Sequence, residues 1–251
     1  MYTLFPSITW RVFDAVLKEH GCKIACFILE PVLENLAIVL PDDGYLEAVR
    51  ERCDQYGIVL IFDEVKTGLT AGVAGASAKL GIKPDLICLA KSIGGGMPLA
   101  AFGGKKEIMD CVTSGAMSHY GTFNANPICL AGWRATDILA TDEALERSER
   151  LNHNALNSIS DIIDEYKLPA HTVGFGVKGC VTWATEPVRN YRDYKATDFQ
   201  IAELSWLFSV NRGILTPPGL DEQWLVSFAH GKEEMDLLVE NYLELAEAIR
   251  S

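Results

Sequence analysis

The chain has 251 residues, enough for one large domain or two modest ones with a real core. Its formal net charge of −12 argues against a nucleic-acid backbone as partner, because that contact runs on Lys and Arg. Nearly half the residues are apolar, yet Lys, Asp or Glu interrupts every hydrophobic run well short of the ~20 residues that a membrane span needs.

The opening MYTLFPSITWRVFDAVLKEHG lacks a basic segment followed by an apolar core, so no signal peptide is expected. KIACFILEPV (23–32) reads as a buried strand closed by Pro. In PDDGYLEAVRERCDQYG, Asp stands at a helix start, Leu46, Val49 and Cys53 recur at helical spacing, and Gly57 stands where the helix stops. IVLIFDEV (58–65), DLICLAK (85–91) and LAAFGGK (99–105) are three further short apolar strands. Strands that alternate with helices and are apolar on both faces predict an α/β sheet covered on both sides.

NPICLAGWRATDILA predicts a helix. A long amphipathic helix follows, with Leu156, Ile159, Ile162 and Ile163 on one face. KGCVTWAT is a strand, and KEEMDLLVENYLELAEAIRS a closing helix. The looser order predicts a second, smaller α+β unit from about residue 142. Seven cysteines are scattered without a C-x-x-C pair, and Cys26, Cys88 and Cys129 sit in apolar runs. They read as reduced thiols of a cytoplasmic protein, not as a disulfide framework or metal site.

Among the motifs, GFGVKG matches G-x-G-x-x-G through Gly174, Gly176 and Gly179. A dinucleotide site needs that pattern after a strand and opening a helix; here it precedes a strand, so nucleotide binding is not expected. GGKKE lacks the spacing and the Ser or Thr of a phosphate-binding Walker loop. IFDEVKTG carries Asp63 and Glu64 at the end of a buried strand, where carboxylates either line a ligand crevice or simply solvate the strand end. LAKSIGGGMPLAAFGG puts Lys91 in the same situation on the next strand. A lysine there either snorkels to solvent or is a desolvated amine that attacks carbonyls. Gly94, Gly95 and Gly96 leave room beside it for a flat ligand or a close backbone. Acid and amine on successive strand ends suit a pyridinium cofactor, the acid keeping the ring nitrogen protonated and the amine condensing with an aldehyde. HYGTFNANP adds Thr122 and the accessible amide of Gly121, suited to a phosphate.

EPV, IFDEVKTG, KPDLICLAKSIGGGMPLAAFGG and GTFNANP, in this order and through to GILTPPGLDEQWLVSFAHGKEEMDLL, resemble the class-III aminotransferases dependent on pyridoxal 5′-phosphate. The resemblance is closest to the branch containing glutamate-1-semialdehyde aminomutase. It implies fold type I of the pyridoxal enzymes, with residues 1–141 as the second half of the cofactor-binding large domain and 142–251 as the C-terminal small domain. It implies a Schiff base and proton transfer at Lys91, Asp63 on the ring nitrogen, and Val65 packed on one ring face. Gly121 and Thr122 would meet the cofactor phosphate of the partner subunit in a homodimer. Transamination between an amino compound and a carbonyl acceptor is the implied reaction. The 1,2-aminomutase reaction is the alternative, and a non-catalytic remnant or dimerisation partner is the alternative of another class.

Three departures qualify the resemblance. LTAG follows the DEVKTG segment where the family usually carries an aromatic residue and an arginine, and Asn35 replaces the glutamate of ornithine- and 4-aminobutyrate-type members. The family's upstream half, with its phosphate loop and stacking aromatic, has no match before LEPV, so a fragment, a truncated product or part of a larger polypeptide is expected.

Overall fold

Apolar periodicity fixes the first elements of the chain, whose structure, a computed structural model, describes residues 10–217 and 223–250. Residues 1–9 and 218–222, which carry part of the N-terminal reading and the PGLDE of the closing motif, lie outside the described residues. The described residues up to Pro31 and from Pro41 to Thr141 form one compact unit; Val32–Leu40 and the chain from Asp142 onward form another.

The first unit opens with helix α1 (Trp10–His20), strand β1 (Cys26–Leu29), helix α2 (Tyr45–Tyr56) and strand β2 (Val59–Asp63). Two short helices, α3 (Gly68–Ala71) and α4 (Gly75–Lys79), lead to β3 (Leu86–Leu89), β4 (Ala101–Gly104), α5 (Lys106–Thr113) and α6 (Pro127–Leu139). The sheet order is β1-β2-β3-β4, with β1, β2 and β3 parallel and β4 antiparallel to β3.

Register assigns the two faces of this sheet. Phe27 pairs with Leu60 and Leu29 with Phe62. Leu60 and Phe62 are fully buried, and Phe13 of α1 stacks on Phe27 at 4.6 Å between ring centroids. The opposite face carries Ile28, Ile61, Asp63, Cys88 and Phe102 in register. There Ile28 is 55% and Phe102 38% exposed. The sequence predicts two covered faces; the structure covers one and leaves the Asp63 face half open.

The second unit is built on α7 (Asp142–Tyr166), β5 (His171–Phe175), β6 (Lys178–Thr182), α8 (Tyr191–Tyr194), α9 (Phe199–Asn211), β7 (Trp224–Leu225) and α10 (Lys232–Arg250). Its antiparallel sheet runs β5-β6-β7. Buried Asn152 of α7 donates to the carbonyls of Gly176 (3.0 Å) and Lys178 (2.8 Å) and accepts from the Trp224 indole at 2.7 Å. Those bonds tie the sheet to the helix through groups that burial would otherwise leave unpaired. The buried Glu34–Lys178 pair at 2.5 Å and Gln223, which donates to Glu34 O at 2.8 Å, join the 32–40 segment to the same sheet.

The G-x-G-x-x-G segment is the tip of the β5–β6 hairpin. Gly174 and Gly179 pair across the strands, and Gly176 turns the chain at φ 59°. No helix opens there, so the segment has no helix N-terminus on which a dinucleotide phosphate would sit.

Candidate active site

Parallel strands emerge at a common end, and Asp63 and Lys91 lie there. Asp63 is the last residue of β2 and Lys91 lies two residues past the end of β3. Because β4 is antiparallel, its first residues lie at this end too: Leu89 pairs with Ala101 and Cys88 with Phe102. Asp63, Cys88 and Phe102 therefore form one row across three strands.

Lys91 opens a 3₁₀ turn (Lys91–Gly94) and holds φ 49°. A residue with a Cβ in the left-handed region costs of order 1 kcal/mol or more. Such strain persists where surrounding structure over-determines it, and that is the case here. Gly95 and Gly132 bring the turn and α6 into contact: a Cβ at Gly132 would lie 2.5 Å from Gly94 O, and one at Gly95 2.9 Å from Gly132 O. One of the three glycines, Gly95, thus serves helix packing under the lysine, a role that the sequence does not disclose. The exposed Lys91 ammonium makes no hydrogen bond or ion pair among the described residues. The next lysines along the chain are engaged, Lys105 with Asp85 at 2.6 Å and Lys106 with Asp110 at 2.7 Å.

The two carboxylates of IFDEV part company. Asp63 is half-buried, and its Oδ1 accepts from the Val65 amide at 3.1 Å, which fixes the chain where it leaves the strand. Glu64 is buried and accepts from the amides of Ala76 (2.6 Å) and Ser77 (3.0 Å), so it anchors α4 and is withdrawn from the strand-end crevice. Burial pushes the Cys88 thiol up, and the Asp63 charge across the ladder pushes it further. Cys88 is accordingly a neutral neighbour of the acid.

Gly121 and Thr122 lie in an exposed loop before α6. The His119 and Phe102 rings meet in a T-shape at 83° with centroids 5.2 Å apart, and Asn124 Nδ2 lies 3.4 Å from His119 Nε2. His119 and Phe102 carry no local signal that sequence reasoning could use, since their contact spans two elements.

A class-III aminotransferase family model matches residues 6–195. The chain belongs to the class-III aminotransferase family. It is 34% identical over 229 residues to glutamate-1-semialdehyde 2,1-aminomutase of Syntrophobacter fumaroxidans, covering 90% of this chain and 53% of that protein. An omega-transaminase from Sphaerobacter thermophilus superposes with a TM-score of 0.89 at 26% identity, over 98% of this chain and 57% of the other. A transaminase solved with pyridoxal phosphate bound superposes with a TM-score of 0.87 at 26% identity, over 98% and 57%.

This class-III chain thus has the α/β architecture of fold type I, with its mostly parallel sheet and a small antiparallel one, and it spans about half the length of the curated relatives it matches. No helix among the described residues is long and apolar enough to cross a membrane, and no His, Cys, Asp and Glu group among them could hold a metal. The donors fit a pyridoxal phosphate chemically: at the sheet end an unengaged amine and a carboxylate on the adjoining strand, and in the exposed loop before α6 a hydroxyl beside a glycine amide.

Proposed function

We propose that this chain carries the lysine-bearing part of a pyridoxal 5′-phosphate-dependent transaminase, which moves an amino group between a small amino compound and a carbonyl acceptor. The single observation that supports it best is Lys91: strained, exposed and unengaged, one strand away from Asp63. When bound, the cofactor supplies an electrophilic aldehyde and an electron sink. Lys91 Nζ, unengaged among the described residues, would hold the cofactor and then take and return the proton of the amine-bearing substrate carbon. Asp63 keeps the ring nitrogen protonated, and Val65 packs on a ring face. The Gly121 amide and Thr122 hydroxyl donate to the phosphate belonging to the partner subunit of a homodimer. Residues 1–141 would then be the second half of the large domain and 142–251 the small domain, in a cytoplasmic enzyme.

Likeness to the Syntrophobacter aminomutase favours a second reading, the 2,1-aminomutase reaction, which uses the same side chains and retains the intermediate. An absorbance titration with pyridoxal 5′-phosphate tests the common core. A saturable visible-range change is expected for the wild-type chain, lost in Lys91→Ala. A wild-type chain that takes up no cofactor would instead match a non-catalytic remnant or dimerisation partner.

A further inference from the structure

Beyond the residues assigned so far, the loop that carries Gly121 and Thr122 is held by contacts that the proposed reaction does not itself require. Asn124 N donates to Gly121 O at 3.1 Å, and Asn126 N to Phe123 O at 3.1 Å, closing successive turns. Ala125 holds φ 55°, a left-handed conformation that a residue with a Cβ keeps only where its surroundings impose it. The Asn124 amide lies over Gly121 so closely that a Cβ there would come 2.5 Å from Asn124 Oδ1. The same amide reaches His119 Nε2 at 3.4 Å. His119 in turn forms a T-shaped pair with Phe102, which stands in the sheet row of Asp63 and Cys88.

We propose that His119 is a positioning residue: lying on the surface between Phe102 and Asn124, all three exposed, it fastens the Gly121–Thr122 loop to β4 in the shape that presents its hydroxyl and amide to a phosphate. The Asn124 amide donates to His119 where Nε2 carries no proton, while the His119 and Phe102 rings meet in the favoured T-shape. Thr122 itself is exposed and has no side-chain partner among the described residues, so its placement depends on the loop. This inference rests on the phosphate reading of Thr122, and the test separates the two.

Amide hydrogen exchange on the cofactor-free chain reads the brace directly. His119→Ala is expected to speed exchange at Asn124 and Asn126 by about fivefold, the loss of one ordinary hydrogen bond, with exchange in β2 and β3 unchanged. Equal rates would overturn the brace. Dissociation constants for pyridoxal 5′-phosphate and for pyridoxal, measured on the wild type, Thr122→Ala, His119→Ala and the double variant, then read its purpose. Thr122→Ala should weaken only the phosphorylated ligand, by about tenfold. His119→Ala should do likewise by a smaller factor, and add little in the Thr122→Ala background. Equal losses for both ligands, or losses that multiply in the double variant, would overturn the positioning role while leaving Thr122 as a phosphate donor. No loss in Thr122→Ala alone would remove the phosphate reading, and the inference with it.

Discussion

Lys91 and Asp63 are legible in the sequence because each ends an apolar run, and a charged residue there has few places to go but the mouth of the sheet. Glu64 is adjacent in sequence and differs in every physical respect: it is buried and its oxygens are spent on the amides of Ala76 and Ser77. That division depends on α4 folding back, which no local pattern announces. Asp63→Asn should leave the cofactor able to attach while lowering turnover by about a hundredfold or more, as expected when a charge-stabilising partner is lost. Steady-state kinetics beside an absorbance spectrum check this, and wild-type turnover in the variant would exclude the role. Asp85 makes a second test at this scale. Burial raises its carboxyl, but hydrogen bonds from Lys105, the Leu60 amide and Arg50 outweigh burial and hold it below the ordinary carboxylate range. A carboxyl lowered by folding stabilises fully above about pH 4, its unfolded value, and loses that contribution as pH falls through the lower folded value. Thermal melts of Asp85→Asn should therefore fall less steeply than wild type below about pH 4; parallel curves would contradict the assignment.

Most elements of the fold follow from periodicity, and the failures share a cause. The β1, β2 and β3 runs and the amphipathic α7 and α10 bury a face that the sequence pattern marks. The β5 strand, HTVGF, carries two small or polar residues in its interior and pairs through the hairpin with β6. Nor does the sequence disclose that β4 turns antiparallel, since a four-residue strand has no directional mark. The glycines after Lys91 are the instructive case: their spacing suggests room for a ligand, whereas Gly95 meets α6 and Gly132 answers it from the helix. Gly132→Ala should force the turn and helix apart and destabilise the chain by about 1–3 kcal/mol, the usual cost of overpacking. It should also slow chemical labelling of Lys91. Denaturant melts and lysine labelling rates measure both, and a variant as stable and as reactive as wild type would show that this contact does not hold the lysine.

At the scale of the molecule, Lys91, Asp63 and the 119–124 loop all lie within the first unit, while the second is tied together by Asn152 and the Glu34–Lys178 pair. Family membership was readable because the lysine and acid motifs are contiguous and local. The half-open Asp63 face was not, because apolar residues on both sides of a strand do not say what covers them. The account turns on one lysine. Incubating the chain with pyridoxal 5′-phosphate, reducing with borohydride and mapping the labelled peptide tests it most directly. The label is predicted on Lys91, in stoichiometric amount; a label on Lys105 or Lys106, or none on any lysine, would contradict it.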